Sequence, residues 1–217
     1  AESATSNSDW IITPETPVAV PLHLDAPDED RYIRMIKRLA RRFPGASVVA
    51  GLVSFQIYPP AEHPPTKSAR RKAESMAYYD HYNSAFRIDT GKIIEVYHKS
   101  KLVPGIEMQF SNGLGRIAAK ILPYLGGTKW GYGIQEERSC FEHPRLRYKV
   151  APVICYESAF GDYVAEYVRN GAEAIFIITN DGWWKNTDGY RQHLSYASLR
   201  AIETRRPVAR AANTGIS

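Results

Sequence analysis

Cysteine is scarce in this chain, which has only two, Cys140 and Cys155, among its 217 residues. So few thiols exclude a small disulfide-built scaffold, although they leave the redox compartment open. The two residues could still pair with each other. Because Cys155 ends an apolar run while Cys140 lies in the charged segment EERSCFEHPR, we expect two separate thiols.

Long apolar runs are also lacking. No window approaches the roughly 18 consecutive apolar residues that a membrane-spanning helix needs. The first residues, AESATSNSD, lack the basic start and the apolar core of a signal peptide. The composition, with 44% hydrophobic and 24% charged residues, is that of an ordinary globular protein. Together these features predict a single soluble domain.

Charge of one sign is only in modest excess, with a formal net charge of +5 and an isoelectric point of about 9.1. Such a balance would suit nucleic acid or an acidic phospholipid surface. The basic residues gather in Arg31–Arg42 and in 67–72. Neither stretch is interleaved with the glycines and aromatics of a single-strand nucleic-acid platform. We therefore expect solvated faces and no nucleic-acid partner.

Spacings typical of a metal site are missing from the sequence. Its six histidines form neither an HExxH motif nor, with the cysteines, the C-x-x-C arrangement of a zinc site. We therefore predict that no metal or other cofactor is required. The sequence also lacks an internal repeat and a heptad pattern.

What is present is an alternation of strand and helix signals. A meander of three strands is expected first, followed by strand-helix-strand-helix-strand, which predicts an α/β sandwich with its helices outside. The predicted strands are 10–12, 47–58, 79–88, 92–98, 148–154, 174–179 and 208–212. The predicted helices are 28–43, 160–170 and 191–205. Segment 63–75 is expected to form a hairpin tip or loop, and 102–133 a long ordered loop.

Reactive side chains follow several of these strands. Glu15 comes after Trp10–Ile12, Lys99 after the strand that ends at His98, and Cys155 directly after an apolar strand. A carboxylate, an ammonium and a thiol could converge there as base, oxyanion stabiliser and nucleophile. The dipole of the helix after Cys155 would favour the thiolate. Turn residues and a small buried core cysteine are the alternative interpretations.

Four motifs in this order resemble those of the nitrilase superfamily and cover nearly the whole chain. They are Thr13-Pro14-Glu15; Tyr97-His98-Lys99 with Leu102-Val103-Pro104; Ile154-Cys155-Tyr156-Glu157; and Thr179-Asn180-Asp181-Gly182-Trp183-Trp184. Further segments resemble one branch, the catalytic domain of apolipoprotein N-acyltransferases. These are Gln192-His193-Leu194, Arg200-Ala201-Ile202-Glu203, Arg206-Pro207 and Asn213-Thr214-Gly215-Ile216.

The resemblance implies a four-layer α-β-β-α sandwich and a Glu-Lys-Cys site. By position, Glu15 is similar to the family's general base, Lys99 to its oxyanion-stabilising residue and Cys155 to its nucleophile. Supporting roles are implied for Glu107, Tyr156 and Glu157, and a place at the acyl pocket for Asn180, Trp183 and Trp184.

Other interpretations of these residues stay open at this stage. Lys101 is a chemical alternative to Lys99. Glu107 could be a solvated loop charge, and Glu157 a salt-bridged structural group. The two tryptophans could belong to the core.

The implied reaction moves a fatty acyl chain from a phospholipid, through a Cys155 thioester, to the N-terminal amine of diacylglyceryl-cysteine in a lipoprotein. The resemblance further implies a membrane protein of the bacterial inner membrane with this domain on the periplasmic face. Family members carry the domain between transmembrane helices, so we expect 1–217 to be a catalytic domain that is incomplete at both ends, with little turnover by itself. Segment 108–132 is expected to cover the acyl pocket.

Two other functions remain possible from the sequence. A soluble nitrilase-type amidase would use the same three residues, with water as the final acceptor. A binding module without enzymatic activity would use the basic face to dock nucleic acid or acidic lipid. The branch-specific motifs and the apolar loop favour the acyltransferase over the amidase.

Overall fold

A computed structural model describes residues 7–15, 21–73, 75–89, 92–104, 107, 131–185 and 187–217. The predicted turn at 90–91 and almost all of the segment expected to cover the acyl pocket, 108–130, lie outside the described residues. In the described part of the chain, none of the helices is long and apolar enough to cross a membrane.

The first sheet is built around the predicted meander. Its strands are β1 (Trp10–Ile12), β2 (Leu22–His23), β3 (Ser47–Tyr58), β4 (Arg70–Arg71), β5 (Tyr78–Asp89) and β6 (Lys92–His98). β3, β5 and β6 pair antiparallel in sequence order, as expected. β1 and β2 add to β3 in parallel, while β4 pairs with β5. The two-residue strands β2 and β4 escaped the sequence analysis because they are too short to show a period.

The second sheet is built from β7 (Phe141–Glu142), β8 (Lys149–Ile154), β9 (Ala174–Thr179) and β10 (Val208–Ala212). Its strand order is β10-β9-β8-β7. β8, β9 and β10 are parallel to each other. β8 and β9 are almost entirely buried, which matches a parallel sheet covered on both faces.

Within the residues that the structure describes, three α-helices cover the outer faces of the sheets. They are α1 (Arg31–Arg42), α2 (Gly161–Arg169) and α3 (Gly189–Thr204). α1 begins later than predicted because Pro27–Glu29 forms a separate 3₁₀ turn and Asp30 caps the helix, accepting from Tyr32 N at 2.7 Å and Ile33 N at 3.1 Å. Short 3₁₀ segments at Cys155–Ala159 and Asp181–Trp184 were not predicted.

Two buried clusters define four layers. On one face of the first sheet, Val48, Ala50 and Leu52 of β3 pack with Ile33 and Ile36 of α1. Val49 lies between Val48 and Ala50 in β3, points to the opposite face of the sheet and packs in a larger buried cluster. That cluster also includes Ala85 and Tyr97 of the first sheet, the interior of the second sheet and the buried side of α2. The order α1, first sheet, second sheet, α2 and α3 confirms the predicted α-β-β-α sandwich.

Candidate active site

Glu15 is positioned directly after β1, where the chain leaves the sheet after Pro14. The residue is only 4% exposed, so each carboxylate oxygen needs a donor. Oε1 accepts from Asn83 Nδ2 at 2.6 Å and from Lys99 Nζ at 3.2 Å. Oε2 accepts from the Asn180 backbone N–H at 2.9 Å. Donors from both sheets therefore orient this carboxylate.

The backbone at Glu15 lies unusually close to β3. A Cβ atom added to Gly51 would lie 2.8 Å from Glu15 Cα, 2.8 Å from the Pro14 carbonyl oxygen and 3.0 Å from Ile178 Cδ1. Only glycine leaves room for this approach. Gly51 is thus part of the reason that a residue after β1 reaches the space between the sheets.

Lys99 follows β6 and is completely buried. Its Nζ lies 3.2 Å from Glu15 Oε1 and 2.9 Å from Glu107 Oε1. Burial lowers the pKa of this ammonium, but the two carboxylates outweigh burial and hold the pKa well above its ordinary value. Lys101, the chemical alternative, is exposed, with its Nζ over the rings of Phe160 and Tyr163. The geometry therefore favours Lys99.

Glu107 is also part of the buried cluster. It is 8% exposed and accepts from Lys99 Nζ and, at 3.1 Å, from Asn83 Nδ2 through the same oxygen. Its other oxygen accepts from the Val103 N–H at 2.8 Å. The interpretation of Glu107 as a solvated loop charge is therefore wrong.

Cys155 follows β8 and begins a 3₁₀ segment, with a backbone φ of +49°. It is partly buried, and both cysteines are free, so the two do not pair. The pKa of its thiol is raised to about 12, first by burial and next by the Glu15 carboxylate, while the Lys99 ammonium and a Thr179 hydrogen bond oppose the rise. Desolvation and the neighbouring carboxylate therefore oppose the thiolate, which the dipole of the following helix was expected to favour.

Glu157 connects the segment after Lys99 to the end of β8. This fully buried carboxylate accepts from the Tyr97 hydroxyl at 2.7 Å, the Ser100 N–H at 2.7 Å and the Ile154 N–H at 2.8 Å. Further donors are the Tyr163 hydroxyl and the Lys101 N–H. Hydrogen-bond donors therefore hold the Glu157 carboxylate. The salt bridge that the sequence left open for this residue is not what holds it. Burial raises its pKa, and these hydrogen bonds oppose the rise.

The other residues from the motifs lie around this centre. Tyr156 packs edge-on against Phe160, with ring centroids 5.0 Å apart. Asn180 contributes its backbone N–H to Glu15, and its side chain accepts from the Gly182 N–H. Trp183 and Trp184 are 43% and 42% exposed, so they are not core residues as the alternative reading had it.

Sequence analysis missed Asn83 and Tyr132. Asn83 is 4% exposed and its amide bridges the carboxylates of Glu15 and Glu107. Asparagine is disfavoured in strands, so its presence inside the β5 run was an available signal. Burial and the Glu107 carboxylate raise the pKa of the Tyr132 hydroxyl to about 12. No sequence motif marked Tyr132.

A cavity of about 880 Å³ opens beside the cluster. Ser100 and Tyr156, the neighbours in sequence of Lys99 and Cys155, line it together with Tyr82, Tyr132, Ile134 and Phe160. This volume falls in the range of small-molecule sites. The Trp183 and Trp184 side chains are not part of its described lining, so their place at an acyl pocket stays a prediction.

The cluster combines the parts needed for covalent acyl transfer. Glu15 can take a proton, Lys99 can stabilise an oxyanion, and Cys155 can attack a carbonyl carbon. Among the described side chains, no group of three or more His, Cys, Asp or Glu residues could hold a metal ion. The catalytic role of each residue remains a prediction.

Comparison with known proteins gives concordant results. The carbon-nitrogen hydrolase family model matches residues 32–217. The apolipoprotein N-acyltransferase of Chlorobaculum tepidum is 31% identical over 212 residues, which are 95% of this chain and 38% of that protein. The apolipoprotein N-acyltransferase of Rhizobium meliloti is 39% identical over 144 residues, covering 63% of this chain and 25% of that protein. This chain therefore spans well under half the length of these curated relatives.

Solved structures agree on the fold. The carbon-nitrogen hydrolase of Helicobacter pylori G27 superposes with a TM-score of 0.60 at 13% identity, covering 97% of this chain and 63% of that one. At this level of identity the likeness concerns the fold alone.

Proposed function

This chain belongs to the carbon-nitrogen hydrolase family, and we propose that it is the acyl-transfer domain of an apolipoprotein N-acyltransferase. The proposed reaction moves a fatty acyl chain from a phospholipid to the N-terminal amine of diacylglyceryl-cysteine in a lipoprotein. The observation that carries the proposal is the buried contact of Lys99 with Glu15 and Glu107 beside Cys155. The choice of this particular acyl-transfer reaction rests on the similar proteins that are named apolipoprotein N-acyltransferase.

In the first half of the reaction the thiol has to lose its proton. Since the pKa of Cys155 is raised to about 12, the thiol is protonated at rest and needs a base. Glu15 already accepts from three donors, and a carboxylate has about four acceptor sites. One site is left for the thiol proton. The thiolate then attacks the ester carbonyl carbon of the phospholipid, and Glu15 returns the proton to the leaving alcohol as the thioester forms.

Lys99 stabilises the oxyanion in both tetrahedral intermediates. A lysine ammonium has three N–H donors, and the Glu15 and Glu107 carboxylates engage two of them. The third is available to the substrate oxygen. Because Lys99 is completely buried, its charge acts at low dielectric, where such stabilisation is strongest.

In the second half the lipoprotein amine attacks the thioester. The nitrogen forms the new amide bond, Glu15 takes the amine proton, and Cys155 leaves and recovers that proton as a thiol. A thiolate leaves more readily than an alkoxide, which suits an amine acceptor. Tyr156 and Glu157 support this centre, Glu157 by fixing the segment after Lys99 to the end of β8.

The proposed partners place the reaction at a membrane. The phospholipid donor and the lipoprotein acceptor both carry fatty acyl chains that partition into a bilayer, so we propose that the intact protein lies in the bacterial inner membrane with this domain on the periplasmic face. Residues 1–217 would form its catalytic domain, and the isolated domain would turn over slowly because nothing presents the lipids to it.

The experiment that tests this function follows the acyl chain. The full-length protein is incubated with a phospholipid whose acyl chain carries an isotope label and with a peptide that begins with diacylglyceryl-cysteine. We expect the peptide to gain one labelled acyl chain as an amide. Cys155→Ala should abolish the gain, while Cys140→Ala, the matched control at the other free thiol, should retain it.

Two results would contradict the proposal. One is an unmodified peptide together with labelled free fatty acid, since water would then be the acceptor. The other is an unmodified peptide together with hydrolysis of small amides, the behaviour of a nitrilase-type amidase. A transfer that persists in Cys155→Ala would remove Cys155 from the mechanism.

A further inference from the structure

Cys155 is held in a backbone conformation that side chains disfavour. Its φ of +49° lies in the left-handed region, where a non-glycine residue is uncommon and persists only if surrounding contacts enforce it. The conformation occurs at the turn from β8 into the 3₁₀ segment Cys155–Ala159. Because φ at Cys155 helps to set where its side chain points, the contacts that enforce it also aim the thiol.

Two side chains hold the carbonyl group of Cys155. Ser158 Oγ donates to the Cys155 carbonyl oxygen at 2.7 Å. His193 Nε2 donates to the same oxygen at 3.2 Å, and it also lies 3.2 Å from Ser158 Oγ. Both side chains are buried, with 1% and 5% of their residues' surface exposed. The peptide after Cys155 is therefore fixed by α3, which carries His193, as well as by its own turn.

His193 is itself fixed from the opposite side. Its Nδ1 lies 3.0 Å from Asp181 Oδ1, and this carboxylate accepts from Arg210 Nη2 at 2.9 Å and 2.7 Å. The Asp181 and Arg210 side chains are 1% and 4% exposed. A continuous chain of contacts thus runs from β10 through Asp181 and His193 to the nucleophile's carbonyl group.

We infer that His193, braced by Asp181 and Arg210, is a positioning residue that holds Cys155 in its left-handed conformation and so presents the thiol to Glu15 and Lys99. The inference rests on the proposed role of Cys155 as nucleophile. His193 is not a base for the thiol in this arrangement, because its Nε2 faces the backbone carbonyl and its Nδ1 faces Asp181. It acts on the reaction only through the Cys155 backbone.

The test measures acylation of Cys155 by a substrate that needs neither phospholipid nor lipoprotein. The full-length protein is mixed with p-nitrophenyl octanoate, and the burst of p-nitrophenol gives the acylation rate and its dependence on ester concentration. In His193→Ala we expect the maximal rate to fall about 100-fold, the size expected for a nucleophile displaced by about 1 Å. The ester concentration for half-maximal rate should hardly change.

Two amide replacements separate positioning from packing. His193→Gln places an N–H where Nε2 lies and should recover most of the acylation rate. His193→Asn places its amide near Nδ1, too far from the Cys155 carbonyl group, and should resemble His193→Ala. Because both variants keep a polar side chain in the same space, this comparison still decides the question if His193→Ala fails to fold.

Arg200→Lys is the matched structural control. Arg200 lies on the same helix, is 3% exposed and donates from Nη1 to the Ser158 carbonyl oxygen, one turn away from the Cys155 carbonyl. We expect this variant to lose stability in urea but to keep a nearly normal acylation rate.

Three outcomes would overturn the inference: acylation at the normal rate in His193→Ala, equal rates in His193→Gln and His193→Asn, or an equal loss in Arg200→Lys. Failure of the proposed function looks different. In that case the ester still acylates Cys155 in a His193-dependent manner, while phospholipid gives no transfer.

Discussion

In the proposed mechanism, the charge balance around Cys155 keeps its proton in place until substrate is present. Glu15 and Glu107 contribute two carboxylates to the cluster, and Lys99 contributes one ammonium. The buried cluster thus already carries one excess negative charge, and a thiolate would add a second. In the proposed mechanism the proton therefore stays on sulfur at rest and moves to Glu15 as negative charge develops on the substrate oxygen beside Lys99.

The raised pKa of Cys155 predicts a dependence of stability on pH. Its folded-state pKa is about 12, whereas a thiol in an unfolded chain titrates at about 8.5. The folded state binds this proton more tightly, so the resulting stabilisation is complete below about pH 8.5 and is lost as the pH rises toward 12. Between about pH 7 and pH 10, the free energy of unfolding of Cys155→Ala should therefore fall by about 2 kcal/mol less than that of the unchanged protein.

Urea denaturation at several pH values measures this difference. The comparison uses slopes, so a constant loss of stability from the missing side chain cancels. The pKa of Lys99 is also raised, so its contribution to stability also decreases as the pH rises. Lys99 is present in both proteins, however, and its contribution is common to both slopes. Parallel slopes for the two proteins would show that the Cys155 thiol is not desolvated.

Replacement of Glu107 tests the orientation of Lys99. Glu107→Gln keeps the shape of the side chain but removes the carboxylate 2.9 Å from Lys99 Nζ. The pKa of Lys99 should fall, and its third N–H should be less well aimed, so we expect acylation of Cys155 to slow by about 10- to 100-fold. The p-nitrophenyl ester burst measures this rate.

Glu137→Gln serves as the control for Glu107→Gln, because Glu137 is exposed and lies outside the cluster. It should acylate at the normal rate. A Glu107→Gln protein that also acylates normally would mean that Glu107 does not orient Lys99.

At the scale of elements, the site forms because strand ends from two sheets meet. β1 and β6 of the first sheet end before Glu15 and Lys99, and β8 and β9 of the second end before Cys155 and Asn180. Face-to-face packing of the sheets brings these ends together, as seen where the Asn180 N–H donates to Glu15. The site is therefore a property of sheet packing more than of any single loop.

Gly51 of β3 tests this dependence on packing. In Gly51→Ala the new Cβ would lie 2.8 Å from both Glu15 Cα and the Pro14 carbonyl oxygen, so the backbone at Glu15 has to move. We expect a loss of about 1–3 kcal/mol in stability, as for other overpacked interiors, and a loss of acylation beyond about 100-fold. Urea denaturation and the ester burst measure the two effects.

Ala50→Val is the matched control for Gly51→Ala. Ala50 is the preceding residue of β3, is completely buried and packs on the α1 side of the sheet. Overpacking there should cost similar stability but spare acylation. Equal losses of acylation in both variants would indicate a general effect of strain in β3 and not a displacement of Glu15.

For the whole molecule, the sequence predicted the parts whose signal is local. β3, β6, β9 and β10 begin and end where predicted, because their apolar runs are bounded by turn or polar residues. The four-layer order followed from the motif resemblance and is confirmed. The two-residue strands β2, β4 and β7 could not be predicted, since two residues show no period.

Long-range electrostatics limited the prediction of the site. Asn83 bonds Glu15 and Glu107, which are 68 and 24 residues away in the chain, so no local pattern could connect them. For Cys155 the sequence indicated only the dipole of the following helix, whereas burial and Glu15, which raise the pKa of the thiol, act on it only after the sheets have packed. Residue types at strand ends were thus predictable, whereas their partners and protonation were not.

Intact-protein mass spectrometry of the full-length enzyme tests the central claim most directly. The protein is exposed to phospholipid without an acceptor, so the first half of the reaction should stop at the thioester. We expect a mass increase of one acyl chain, located on Cys155 and absent from Cys155→Ala. The absence of an acyl adduct, or an adduct that persists in Cys155→Ala, would contradict a Cys155 thioester and with it the proposed mechanism.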